Sequence, residues 1–168
     1  TDVRWSAVRV FHMDEYLGVP GTHPASFVRY MRDQLVDAVQ PLAFFPIRGD
    51  GQDPEEECRR YEALLRQYPA DLCCLGIGEN GHLAFNEPGA ADFHDSRWVR
   101  VITLDERSRR QQVGEGHFPH LDAVPRQAIT LTIPALLSAR RVIVTAPEAR
   151  KAQAVREALL GPVSNACP

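Results

Sequence analysis

The sequence predicts an α/β fold: a three-layer, mostly parallel sheet with helices on both faces, Rossmann-like. Three observations carry this. Short apolar runs alternate with helix-patterned segments along the whole length. Leu72 to Leu75 is continuously apolar, as strands buried on both faces are, and Arg141 to Ala146 (RVIVTA) reads as a second buried strand. A glycine-rich loop follows the first of these runs, at the carboxyl end where such folds bind ligands. With 168 residues, no internal repeat and no low-complexity linker, residues 1–168 read as one domain.

In order, Ala7 to Phe11 alternates in a strand that begins in the stretch from Thr1 to Val10, and Asp14 is expected at its carboxyl end. Thr22 is positioned to cap a helix through Leu35, with Phe27, Tyr30, Met31 and Leu35 as its apolar stripe. Leu42 to Ile47 is a short apolar segment. Asp53 then reads as an N-cap before Pro54, opening a helix through Gln67 whose acidic start suits the helix dipole. Beyond the glycine loop come a strand at Trp98 to Leu104, a polar helix at Asp105 to Gln112, the stretch from Asp122 to Thr132 that carries Pro125 and then the alternating AITLTI, and a short helix at Pro134 to Ser138. Arg141 to Ala146 is the clearest buried strand of the second half. Pro147 and Glu148 open a last helix through Leu160, closed by Gly161 and Pro162.

Composition narrows the function classes. Hydrophobic residues at 44% and charged residues at 24% are ordinary globular usage. No apolar run nears the roughly 20 residues that span a bilayer, and the start does not resemble a signal peptide, so a cytoplasmic protein without a membrane partner is expected. A net charge of -3 gives no footprint for nucleic acid. Cys73 and Cys74 sit in an apolar strand and read as small core residues, and no Cys-x-x-Cys pair occurs.

The chemistry concentrates in LCCLGIGENGHLAFNEPG, Leu72 to Gly89. Its glycines suggest a tight backbone turn whose N–H groups point at an anion, and it carries Asn80, His82, Asn86 and Glu87. Gly76-x-Gly78-x-x-Gly81, with Asp105 after the next strand, matches the dinucleotide fingerprint, but Pro88 and Gly89 stand where its helix would run. His12, Asp14, His82 and Glu87 are plausible metal ligands without a metal-binding spacing. The third reading is acid–base chemistry on a small anion, Asp14 moving a proton at carbon and a His82–Glu87 pair exchanging protons with oxygen or nitrogen. On residue types alone it stands level with a structural reading: Asp14 capping a turn, His82 satisfied in the loop, Glu87 solvated.

FHMDEYLG, GIGENGHLAFNEPG, AITLTIPALL and ARKAQAVREALLG closely resemble the glucosamine-6-phosphate deaminase family over nearly the whole chain, in one order. The continuation Phe85-Asn86-Glu87-Pro88 separates this branch from the related 6-phosphogluconolactonases. The resemblance implies conversion of glucosamine 6-phosphate and water to fructose 6-phosphate and ammonia, without metal or organic cofactor. Asp14 resembles the base that moves a proton between C2 and C1, and His82 the ring-opening acid–base residue, with Glu87 its partner. Gly78, Gly81 and Lys151 fall at substrate-binding positions, Lys151 as the phosphate-binding lysine. A lactonase-like hydrolase and a non-catalytic sugar-phosphate-binding regulator remain rivals, and the resemblance leaves a homo-oligomer open.

Departures from the family pattern are specific. Asn80 stands where the best-known members carry an aspartate of the proton relay, and can orient His82 without carrying charge. The phosphate-binding arginine falls on Gln112 by counting, and Arg109 or Arg110 is expected to substitute. Family members carry a first strand and phosphate loop before the equivalent of Trp5 and a final segment after Pro168, so a chain truncated at both ends is expected; without the phosphate loop, weak or absent activity and a sheet missing its first strand are expected, the alternative being that these termini belong to a longer protein.

Overall fold

The computed structural model describes residues 3–114 and 116–168. Thr1 and Asp2, at the start of the first expected strand, lie outside the described residues. The chain divides into two compact units, Thr1–Glu57 with Val101–Ile129 and Cys58–Arg100 with Thr130–Pro168.

In the first unit a 3-10 turn at Trp5–Ala7 leads into strand β1 (Arg9–Phe11), which pairs in parallel with β3 (Ala43–Phe45) so that Phe11 lies opposite Phe45. Their rings stack with centroids 4.8 Å apart. Asp14 does not end this strand but opens another, β2 (Asp14–Tyr16), in a sheet of order β2-β6-β5 with β5 (Val99–Thr103) and β6 (Gln127–Leu131). The reason lies between them: His12 turns inward, 5% exposed, and its Nε2 accepts the Ile47 N–H at 2.8 Å. The chain therefore leaves one sheet and joins the next within two residues.

Glu15, 1% exposed, is the anchor of this unit. Its carboxylate accepts the Ser26 hydroxyl at 2.6 Å and the N–H groups of Tyr16, Phe27 and Val28 at 2.9, 3.2 and 2.9 Å. Charge-assisted bonds of this kind are about twice as strong as neutral ones, and they satisfy helix-start donors that have no intrahelical partner. Ser26, rather than Thr22, is accordingly the N-cap, its Oγ accepting from Val28 and Arg29. The helix then runs from α1 (Phe27–Met31) through a π-helical stretch, Arg32–Val36, into α2 (Asp37–Val39). This later start and the π turn rotate the buried face onto Val28 and Val36, leaving Tyr30 exposed. Gly49 closes on the same strand, where a Cβ would stand 2.1 Å from the Tyr16 carbonyl. Helix α4 (Glu106–Gly114) continues two residues beyond expectation.

Helix α3 (Pro54–Gln67) follows its sequence signals: Asp53 Oδ1 accepts the Glu55 and Glu56 N–H groups at 2.9 and 3.0 Å. In the second unit its Tyr61 and Leu65 are buried, and its Glu62 accepts the Trp98 N–H at 2.8 Å. Burial pushes the Glu62 carboxyl up, but the Trp98 N–H and the Arg66 guanidinium outweigh this and hold it below the usual range. Strand β4 (Leu72–Gly76) pairs in parallel with β7 (Arg141–Thr145), Leu72 opposite Arg141 and Gly76 opposite Thr145. Helices α5 (Ile133–Leu137) and α6 (Ala152–Leu160) complete the unit, α6 preceded by a 3-10 turn at Ala149–Lys151. Parallel strand pairs with intervening helices establish the α/β class. The expected burial of both strands does not hold. Leu72, Ile143 and Val144 are about half exposed and Cys74 is exposed, because β4 and β7 form a sheet of two strands and no further layer covers Leu72, Cys74 and Ile143 among the described residues. No helix among the described residues is long and apolar enough to cross a membrane.

Burial pushes the His12 imidazole down to about 4 from 6.5, against a smaller upward pull from a hydrogen bond to the Asp14 backbone. Between these values the unfolded chain binds the proton and the folded one does not, so His12 contributes stability above pH 6.5 that is lost as pH falls towards 4. The contribution is about 3 kcal/mol. Urea unfolding from pH 7 to pH 4 should show a steeper loss of midpoint in the wild type than in His12→Asn; equal slopes would contradict it.

Candidate active site

β4 ends at Gly76, and residues 77–98 form a loop with no helix in it, so the dinucleotide geometry is absent. The turn is closed by its own amides. Gly78 N–H donates to the His82 carbonyl at 2.9 Å, Gly81 N–H to the Gly78 carbonyl at 3.1 Å, and His82 N–H to Asn80 Oδ1 at 3.2 Å. These three N–H groups are therefore not aimed at an anion, as the glycine-rich sequence suggested. Gly78 instead makes room: a Cβ there would sit 2.3 to 2.6 Å from the His82 ring atoms. Gly81 has φ +90°, and its missing side chain is the space that Cys167 Sγ occupies.

Inside this turn three side chains meet. Asn80 Nδ2 donates to Glu87 Oε2 at 2.7 Å, and because a carboxylate only accepts, the amide orientation is fixed. Asn80 Oδ1 consequently faces His82 Nδ1 at 2.8 Å and takes its proton as a hydrogen bond. Glu87 Oε1 lies 3.5 Å from the same nitrogen. The neutral ring is thus the Nδ1–H form, leaving the Nε2 lone pair to accept a proton. His82 and Glu87 side chains are 26% and 19% exposed, screened but reachable.

Behind the loop, Arg150 reaches from the turn before α6 to Glu79 at 3.0 Å and to Glu148 at 2.7 Å. Lys151, the last residue of that turn, is half-buried. Gly89 N–H donates to the Asn165 carbonyl at 2.6 Å, tying the far end of the loop to the last residues of the unit. Asp14, in the first unit, is half-buried at the start of β2. Among the described residues no three His, Cys, Asp or Glu side chains are gathered as metal ligands would be.

The family model for glucosamine-6-phosphate isomerases and 6-phosphogluconolactonase matches residues 1–168. The chain belongs to that family. A glucosamine-6-phosphate deaminase of Exiguobacterium sibiricum is 41% identical over 162 residues, 96% of this chain and 62% of the relative. Its counterpart in Bacillus cytotoxicus is 39% identical over 163 residues, 97% of this chain and 60% of the relative. The chain therefore spans about three fifths of these relatives. A solved monomeric glucosamine-6-phosphate deaminase superposes with a TM-score of 0.83 at 37% identity, covering 94% of this chain and 65% of that one. A 6-phosphogluconolactonase from Shewanella baltica has a TM-score of 0.71 at 21% identity over 95% of this chain and 64% of that one, a likeness of fold.

Where the family pattern has an aspartate, Asn80 bridges His82 and Glu87. Arg109 does not present itself to a ligand. It is 9% exposed, and its guanidinium donates to the carbonyls of Leu121 at 2.6 Å and Val124 at 3.0 Å, clasping the segment before β6. Arg110 pairs with Glu106 on the surface of α4, and Gln112 Oε1 accepts the Tyr16 hydroxyl at 2.7 Å. Sequence reasoning missed the Arg150–Glu79 pair, which nothing in the spacing announces, and the role of Asn86, which the motif displays without explaining.

Gly78→Ala should displace the His82 ring at a cost of about 1–3 kcal/mol, whereas Gly76→Ala meets nothing within 4 Å and should be silent. The His82 Cε1–H resonance distinguishes them: it should move in the first variant only.

Proposed function

We propose that the chain carries the acid–base machinery of a glucosamine-6-phosphate deaminase, converting D-glucosamine 6-phosphate and water to D-fructose 6-phosphate and ammonia. The observation that carries this reading is the Asn80 amide between Glu87 and His82, which fixes the imidazole as Nδ1–H and frees Nε2 for proton exchange. In the first step His82 accepts the proton of the C1 hydroxyl and returns one to the ring oxygen, opening the sugar. Glu87, 3.5 Å from Nδ1, stabilises the imidazolium that forms in between. Asp14 then takes the proton from C2 of the open chain and delivers it to C1 through an enolamine. The resulting C2 imine adds water and loses ammonia, so the atoms balance. Lys151 supplies the positive charge for the phosphate, together with Gly78 and Gly81 as the backbone that shapes the pocket.

The same reading makes an amino-sugar phosphate the partner, residues 1–168 a single isomerase/deaminase domain truncated at both ends, and the setting the N-acetylglucosamine catabolism of the cytoplasm. The deaminase is favoured over a lactonase because the relatives at 41% and 39% identity are named deaminases, while the lactonase structure shares 21%.

Ammonia release from glucosamine 6-phosphate should exceed hydrolysis of 6-phosphogluconolactone. Asp14→Asn should abolish proton exchange at carbon while sugar-phosphate binding persists, and His82→Gln should mainly slow use of the closed ring. Near-normal turnover by Asp14→Asn would refute the assignment, and binding without any ammonia above that control would leave a sugar-phosphate-binding regulator.

A further inference from the structure

The four residues before Glu87 form a second tight turn, and its hydrogen bonds lead away from the loop. Leu83 and Asn86 make an antiparallel bridge across Ala84, which sits at φ +51°, a left-handed conformation that costs a non-glycine residue about 1–2 kcal/mol. Asn86 is 1% exposed, and its Nδ2 donates to two carbonyls, Leu83 at 2.9 Å and Leu131 at 2.8 Å. The second belongs to the end of β6. Beside it the Phe85 N–H donates to Thr130 Oγ1 at 3.1 Å, and Thr130 is wholly buried. Two bonds thus staple the turn to residues 130 and 131, one through Thr130 and one through Asn86.

The amide is asymmetric. Both donors are used, whereas Asn86 Oδ1 is buried without a hydrogen-bond partner. An unmet acceptor of this kind costs about 1–3 kcal/mol, so the side chain is a poor choice for stability alone. Its value lies in where the two donors hold the backbone. The next residue is Glu87, whose own carbonyl takes the Ala90 and Ala91 N–H groups, both at 3.0 Å. Glu87 is therefore gripped on both sides, and its carboxylate is delivered to Asn80 Nδ2 and His82 Nδ1.

We propose that Asn86, backed by Thr130, is the positioning residue of the site: it sets the Glu87 carboxylate, and through Asn80 the Nδ1–H tautomer of His82. This rests on the deaminase reading for its catalytic consequence, but not for the tautomer. Releasing the staple lets Glu87 drift, Asn80 loses the partner that orients its amide, and the imidazole loses its fixed Nδ1 acceptor. A misplacement of about 1 Å in such a constellation can lower turnover by about 100-fold.

The test compares wild type with Asn86→Ala and Thr130→Val, the latter keeping the shape of the side chain while deleting the hydroxyl. Long-range nitrogen–proton NMR reads the His82 tautomer, circular dichroism reads folding, and steady-state ammonia release gives kcat and KM. Wild type should show the Nδ1–H form. Folded variants should show a mixture of tautomers, with kcat lower by roughly 10–100-fold and KM little changed. If Asn86→Ala does not fold, Thr130→Val decides alone. Folded variants that keep a pure Nδ1–H ring overturn the proposal. Absence of ammonia from wild type would count against the deaminase reading, and the tautomer would still decide the role of Asn86.

Discussion

The imidazole of His82 lies so close to the backbone at Gly78 that no side chain fits between them, and the chemistry of the loop follows from that contact. With the ring seated there and the Gly78 N–H bonded to the His82 carbonyl, Nδ1 meets Asn80 while Nε2 is left for another partner. Asn80 then does what an aspartate could not: it accepts from His82 with one end and donates to Glu87 with the other, so the order of the three groups is fixed by donor and acceptor chemistry alone. The glycines commonly read as an anion cradle serve here to bring a histidine into contact with the chain.

Asp14 is supported by different means. Its neighbours point inward on either side, His12 to the Ile47 amide and Glu15 to the start of the helix that Ser26 caps. Both are buried polar groups with defined partners, and such groups specify one arrangement because any other leaves a charge or an amide unmet. The segment from His12 to Glu15, which leads into β2, is thus held at both ends, with Asp14 between them.

Much of this was legible in the sequence. The α/β class, the Asp53 cap of α3 and the strands β4, β5 and β7 follow from periodicity and capping residues, whereas the pairing of His82 with Glu87, 3.5 Å apart, was implied by the family resemblance. What was not legible has physical causes. Thr22 and Ser26 are both competent caps, and only the distant Glu15 carboxylate selects Ser26. Arg109 carries the charge that a phosphate needs, but the carbonyls of Leu121 and Val124 claim it, a choice made by tertiary packing. The apolar runs of β4 and β7 predict cover on both faces, a rule that presumes layers which the described residues do not supply around Leu72 and Ile143. The role of Asn86 depends on Thr130 and Leu131, more than forty positions away, a separation no local pattern can reveal.

The most direct measurement is ammonia release across a small panel of amino sugars: glucosamine 6-phosphate, its galactosamine and mannosamine counterparts, and unphosphorylated glucosamine. The proposed deaminase reading predicts that glucosamine 6-phosphate is deaminated fastest, with fructose 6-phosphate as the product, and unphosphorylated glucosamine slowest. Ammonia from none of them, or from glucosamine as readily as from its 6-phosphate, would contradict it.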